Sequence, residues 1–289
     1  MLKWIGIGAG VLMVALAGVL WSGVIENNLF RVWEPNPLDP PPATQGPFEV
    51  VADRVDVADG ADGEPFGITV YRPDGADGPL PTFVWVMGSN VQAYYHTDLH
   101  ETLASWGYLV VAPDTRPLRF IDLRHHGRVV ALAEQATDLA LAGDLDAQAD
   151  PDRLALGGYS VGGPLAAFVA AGVDEADALV HWAPAPPPYW QGVDADERYP
   201  LVDQPSLYLF GGLDEFSPAD GGPADDLQAA MPEAPVTEVV IEGASHHQFQ
   251  RPLGTPGLFP PAEISMDDQQ RQAIEATLAW LDETLDVER

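Results

Sequence analysis

One stretch constrains the fold more than any other: residues 153–172, RLALGGYSVGGPLAAFVAAG. It opens with Leu154, Ala155 and Leu156, a short apolar run of the kind that forms a buried strand. Gly158-Tyr159-Ser160-Val161-Gly162 follows, a G-x-S-x-G pattern, and then Leu165, Phe168 and Val169 recur among alanines at helical spacing. The order is strand, sharp turn with a serine at its tip, then helix, which is the setting of a nucleophile elbow. Such a turn presses the residues two before and two after the serine against each other and against neighbouring strands. Gly158 and Gly162 have no Cβ to obstruct that approach. The helix aims its N-terminus and free N–H groups at the serine, where they favour an oxyanion. A glycine-rich turn also holds a serine by chance, so the reading depends on what lies downstream.

Downstream, the run 206–210, SLYLF, reads as a buried strand and ends in Gly211-Gly212-Leu213-Asp214. The run 236–241 reads as another and leads into Glu242-Gly243-Ala244-Ser245-His246-His247. Serine, acid and histidine occur in that order, the last two just past C-terminal strand ends, where open α/β sheets bind ligands. It is also the chain order of the α/β-hydrolase triad. GYSVGG, FGGLDEFSP and IEGASHHQF together resemble the three catalytic stations of an α/β-hydrolase. The likeness is strongest to the dienelactone-hydrolase-like and polyester-hydrolase (cutinase-like) branch, over residues 65–285. Dienelactone hydrolases proper use a cysteine nucleophile; this chain has no cysteine and offers serine.

The rest of the chain suits that fold. Its 289 residues, 46% of them hydrophobic, suffice for one domain with a two-sided core. Residues 48–57 and 67–71 alternate as strands, joined by an Asp/Gly turn at 59–63. Residues 83–87 and 108–112 read as buried strands, and Tyr95, Leu99, Leu103 and Trp106 mark a helix face between them. Val129, Leu132, Ala136 and Leu139 mark a second helix, residues 178–182 a further strand, and Ile274, Leu278, Leu281 and Leu285 the last helix. This βαβα alternation predicts a mostly parallel central sheet with helices on both faces. Many α/β-hydrolases carry a helical cap after the strand 178–182; the segment 183–205 is too short and proline-rich for a large one, so the site should be open.

Three regions are expected. Residues 4–25 run 22 positions without a charge, behind Lys3, long enough to span a bilayer as a helix. Residues 1–25 therefore read either as an uncleaved signal-anchor or as a signal peptide cut after Ala17, so the catalytic part is placed outside the cytoplasm, held at the membrane or secreted. Residues 26–47 form a proline-rich tether and 48–289 the catalytic domain. The formal net charge is −31, from 44 acidic and 13 basic residues, which excludes nucleic acid and anionic lipid surfaces as partners. Two readings of the acidity stay open: adaptation to saline surroundings, where ions screen self-repulsion, and a merely acidic exported protein.

The chemistry is assigned as follows. Ser160 is the nucleophile, a poor one until a base takes its proton, and histidine titrates in the useful range. Among seven histidines His246 fits best, because the resemblance implies a Gly-x-x-His station there, with His247 a bystander. Asp214 occupies the family's acid station, beside Glu215, and would fix the histidine tautomer. The oxyanion hole needs two backbone N–H groups: Val161 supplies one, and the turn after 83–87 the other, Ser89 first and Asn90 second. That turn lacks the family's usual His-Gly pair, as polyester hydrolases also do. Tyr159, Asn90 and Trp190 are the expected substrate contacts, whereas Tyr95 and Trp182 read as core. His96 and His100 stand four apart, a spacing open to a metal, but without a matching acid they read as surface residues, like His125 and His126.

The resulting expectation is a serine hydrolase of carboxylic esters, on a small-molecule or polymeric substrate, with no cofactor and no metal. Lipase, polyester-hydrolase or peptidase action on the same triad is the first alternative. A catalytically inactive extracytoplasmic binding module is the second, since a fold does not dictate its function.

Overall fold

The computed structural model describes residues 43–88, 93–115, 125–187, 195–219, 222–250 and 262–288. The uncharged run 4–25 and most of the proline-rich stretch lie outside them, and among the described residues no helix is long and apolar enough to cross a membrane.

Eight strands form one sheet: β1 (Val50–Val57), β2 (Phe66–Pro73), β3 (Leu80–Val86), β4 (Leu109–Pro113), β5 (Ala149–Tyr159), β6 (Ala176–Trp182), β7 (Ser206–Gly211) and β8 (Val236–Ile241). Their order across the sheet is β1-β2-β4-β3-β5-β6-β7-β8. β1 and β2 form the antiparallel edge and every pair from β4–β3 to β7–β8 is parallel, as the alternation predicts. Parallel neighbours need crossovers, and helices Thr97–Ser105, His125–Leu141, Gly162–Ala170, Pro223–Ala230 and Met266–Thr284 cover the sheet.

The two-residue period of the strands divides the core between the two faces. Val84, Val86, Leu154 and Leu156 pack with Leu132, Leu165, Val169 and Leu227 on one side. Phe83, Trp85, Ala155 and Trp182 pack with Leu99, Leu103, Ile274 and Leu281 on the other. The helix Gly162–Ala170 is buried at every position, which accounts for its alanines: the central crossover has no wet face.

Several sequence expectations are corrected. Residues 43–47 do not belong to a tether. Ala43 is buried, Gln45 Nε2 donates to Thr102 Oγ1 at 2.8 Å and Gly46 N–H donates to Ser105 Oγ at 2.8 Å, so this segment is docked on the helix Thr97–Ser105. β5 runs on through Gly157 and Gly158, which carry no strand signal, because β3 and β6 bond it from both sides. The helix Pro223–Ala230, eight residues long, was not expected at all. His96, His100 and His126 are buried rather than on the surface, while the side chain of His125 lies outside the described set. Positions 96, 99, 100 and 103 are the i, i+3, i+4, i+7 stripe of a helix, so their spacing puts the histidines in the core with Leu99 and Leu103. Tyr95 and Trp182 are core, as expected.

Candidate active site

The elbow has the geometry its glycines allow. Ser160 sits at φ 54°, in the left-handed region that non-glycine residues seldom occupy. Its N–H donates to Trp182 C=O at 2.8 Å, and its C=O accepts from Gly163 N–H at 3.2 Å and Ala185 N–H at 3.0 Å. Ala183, at φ 44°, turns the chain out of β6 so that Ala185 can make this contact. Two strained residues thus face each other, a feature that persists only where surrounding structure over-determines it. A Cβ on Gly158 would stand 2.3 Å from the Gly162 carbonyl group, and one on Gly162 would stand 2.3 Å from Val86 C=O. Both glycines are there for close approach.

Asp214 and His246 arrive from the ends of β7 and β8. The Asp214 side chain is buried and its carboxylate has three donors: Phe216 N–H at 2.8 Å and Ser217 N–H at 2.9 Å on Oδ1, and His246 Nδ1 at 2.8 Å on Oδ2. With an acceptor-only carboxylate at Nδ1, the ring proton belongs there and Nε2 presents its lone pair. His246 Nε2 lies 3.2 Å from Ser160 Oγ. Ser160, His246 and Asp214 therefore form one hydrogen-bonded line, whereas Glu215 is exposed. His247 is half-buried at the side, its ring centroid 5.3 Å from that of His246. Burial first, and the His246 ring second, push its pKa down to about 4.

Val161 follows Ser160 at the start of the helix Gly162–Ala170, where an oxyanion donor is expected. Ser89, Asn90 and Trp190 lie outside the described residues, but Gly88, just before Ser89, is against the elbow. A Cβ there would be 2.8 Å from Tyr159 C=O and 3.6 Å from Ser160 Cβ. Tyr159 is not placed as a substrate contact. It is 2% exposed, its ring is 5.1 Å from the His246 ring, and its hydroxyl donates to His246 C=O at 3.1 Å. Burial holds the phenol well above its ordinary pKa, so it remains a donor. An alternating strand puts Tyr159 on the opposite side from its neighbours, into the aromatic core beneath the site.

Three contributors, Phe216, Leu213 and Gln269, are not among the residues expected from the sequence. Phe216 is 53% exposed with its ring 5.4 Å from the His246 ring, and Leu213 is 36% exposed on the same turn, so an apolar surface adjoins the histidine. Their signal was present in the GLDEF run, as apolar residues flanking the acid. Gln269 is fully buried and bonds the backbone of Ser245; nothing in a helical polar residue announces that. Among the described residues no three His, Cys, Asp or Glu side chains gather to hold an ion.

A family model described as Chlorophyllase matches residues 43–183, just under half of the chain, which includes the elbow but neither Asp214 nor His246. No curated protein matches the chain. Among solved structures it is similar to a Klebsiella pneumoniae subsp. pneumoniae protein provisionally named a dienelactone hydrolase. Identity is 22% and the TM-score 0.59, over 81% of this chain and 98% of that one. Matches extend to 1234 solved chains, so the fold is a widely shared one and does not itself choose a substrate. The parallel sheet, the strand–serine–helix elbow and the structural likeness give the chain the α/β-hydrolase fold.

Proposed function

We propose that the protein is a serine hydrolase of carboxylic esters. The observation that carries this reading is the line of hydrogen bonds from Asp214 through His246 to Ser160 at a left-handed elbow. The likenesses to Chlorophyllase and to a dienelactone hydrolase support it, a lactone being a cyclic ester.

Ser160 Oγ attacks the ester carbonyl carbon as its proton passes to His246 Nε2, and Asp214 orients the ring and stabilises the imidazolium. The tetrahedral oxyanion accepts from Val161 N–H and from a second N–H in the turn after β3, where Ser89 and then Asn90 are the candidates. The imidazolium gives its proton to the departing alcohol, leaving an acyl ester on Ser160. His246 then takes a proton from water, which attacks that ester, and the acid is released as Ser160 regains its hydrogen. Phe216 and Leu213 support an apolar group on the substrate, and the short segment 183–205 supports a bulky one, lipid or polymeric esters included.

The test is hydrolysis of nitrophenyl esters of increasing acyl length by the full chain, Ser160→Ala and Phe216→Ala. Wild-type turnover should fall on the order of 10⁴-fold or more in Ser160→Ala. Phe216→Ala should keep the short ester and lose roughly three- to tenfold in kcat/KM on the long one, the worth of a partly exposed apolar contact. A folded wild-type protein that turns over none of these esters contradicts the proposal.

A further inference from the structure

His246 stands on weak local structure. β8, the edge strand, ends at Ile241, and His246 opens a single 3₁₀ turn, His246–Phe249, whose preceding residue Ser245 makes no side-chain cap. The backbone around it is instead held by side chains from elsewhere. Gln269 Oε1 accepts from Ser245 N–H at 3.0 Å while Gln269 Nε2 donates to Ser245 C=O at 2.7 Å. Gln270 Nε2 donates to Gln248 C=O at 2.5 Å, and Tyr159 hydroxyl donates to His246 C=O at 3.1 Å. Residues 245, 246 and 248 are thus each tied to a buried side chain.

We infer that Gln269, assisted by Gln270 and Tyr159, is the positioning residue that sets the distance and angle of His246 to Ser160; this rests on the ester-hydrolase reading above. A planar amide that both donates to and accepts from one residue behaves as a strand partner does, fixing rotation as well as displacement of that backbone unit. Neither glutamine bonds to Ser160, His246 or Asp214 through their side chains, so the effect passes through the loop. The helix start is itself pinned. Ser265 Oγ accepts from Asp268 N–H at 3.1 Å and donates to the Asp268 carboxylate at 2.8 Å, a cap that sets where the glutamines fall. Gly243, at φ 73°, lets the loop pass beside Glu263, whose N–H donates to Gly243 C=O at 2.8 Å. The chain of cause runs from cap to glutamine to loop to imidazole, and its terms are two elements distant in sequence. A buried Gln pair at a helix start would otherwise be costly, and the bonding of both side chains to one loop argues for a single task.

The experiment compares full-length wild type with Gln269→Leu, which keeps the side-chain volume and removes both bonds. Tyr108→Phe serves as control, because it removes the Tyr108 hydroxyl bond to Asp282 Oδ1 at the far end of the same helix. Steady-state kinetics are taken well below each melting temperature and normalised to sites titrated with a fluorophosphonate. The downfield proton resonance of the His246–Asp214 bond is followed by NMR. Gln269→Leu should lose about 10- to 100-fold in kcat with KM nearly unchanged, since a misplacement of about 1 Å costs that much. It should also broaden or abolish the resonance, whereas Tyr108→Phe lowers only stability. If Gln269→Leu does not fold, Gln270→Leu and Tyr159→Phe each remove one tie and should lower kcat several-fold with the resonance shifted. Equal kcat per titrated site and an unmoved resonance in the folded variants overturn the inference. Absent ester turnover in wild type would sink the functional reading instead, while the resonance still reports whether Gln269 positions the ring.

Discussion

His100 is wholly buried, its ring 5.2 Å from that of Tyr71 and 6.3 Å from that of Trp85, and neither ring nitrogen has a hydrogen-bond partner among the described residues. Burial pushes its pKa down to about 3, and burial together with His100 lowers that of His96. The unfolded chain takes up a proton at the ordinary histidine value, whereas the folded chain resists until far lower pH. Stability is therefore full above about pH 6.5 and falls as pH drops toward the folded value, by about 1.4 kcal/mol per unit for one histidine. His100→Leu should reduce the loss of unfolding free energy between pH 7 and pH 4 by about 3 kcal/mol, measured by denaturant titration at both pH values. If variant and wild type lose the same amount, burial of His100 does not set the acid sensitivity. Tyr159 teaches a related lesson, since a residue beside the nucleophile is fixed by strand alternation to the core and meets the site from beneath, through its hydroxyl and its ring against His246.

The elbow works as an element because β5, the turn and the helix Gly162–Ala170 leave no space at two positions. Gly162→Ala should lower stability by about 3 kcal/mol or more, or yield insoluble protein, since the added methyl meets the backbone of Val86 and Met87, which β5 holds in register. A variant within about 0.5 kcal/mol of wild type in thermal or denaturant unfolding would show that the close approach is not needed. This element was the most legible in the sequence, because its information is local: a strand run, two glycines around a serine, and helical spacing. Asp214 and His246 were legible through their stations after apolar runs. What escaped was information held between elements. The N-terminal residues 43–47 dock through Gln45 and Gly46, which read as loop; Gln269 contributes through an amide to a loop 24 positions away; and the Pro223–Ala230 helix is short and half polar. The histidine stripe is buried because helical spacing, not residue polarity, sets the face on which it lies.

Across the whole molecule, the parallel order β5-β6-β7-β8 turns three stretches far apart in the chain into one site. Each strand delivers its C-terminal end to the same edge, with the Trp182 carbonyl and Ala183 of the β6 end filling the interval. The two-sided core fixes those ends, so the loops that bear Asp214 and His246 need few residues of their own. The whole chain carries a formal net charge of −31, and a fold that gains stability in molar salt would fit the saline reading rather than that of a merely acidic exported protein. The central claim is that Ser160, activated by His246 and Asp214, is the nucleophile. Treatment of the full chain with a fluorophosphonate, followed by intact mass and peptide mapping, tests it most directly. The account predicts a single adduct on Ser160, none in Ser160→Ala, and labelling slowed by about 100-fold or more in His246→Ala. An adduct on another residue, labelling that persists in Ser160→Ala, or a folded wild type that stays unlabelled would contradict it.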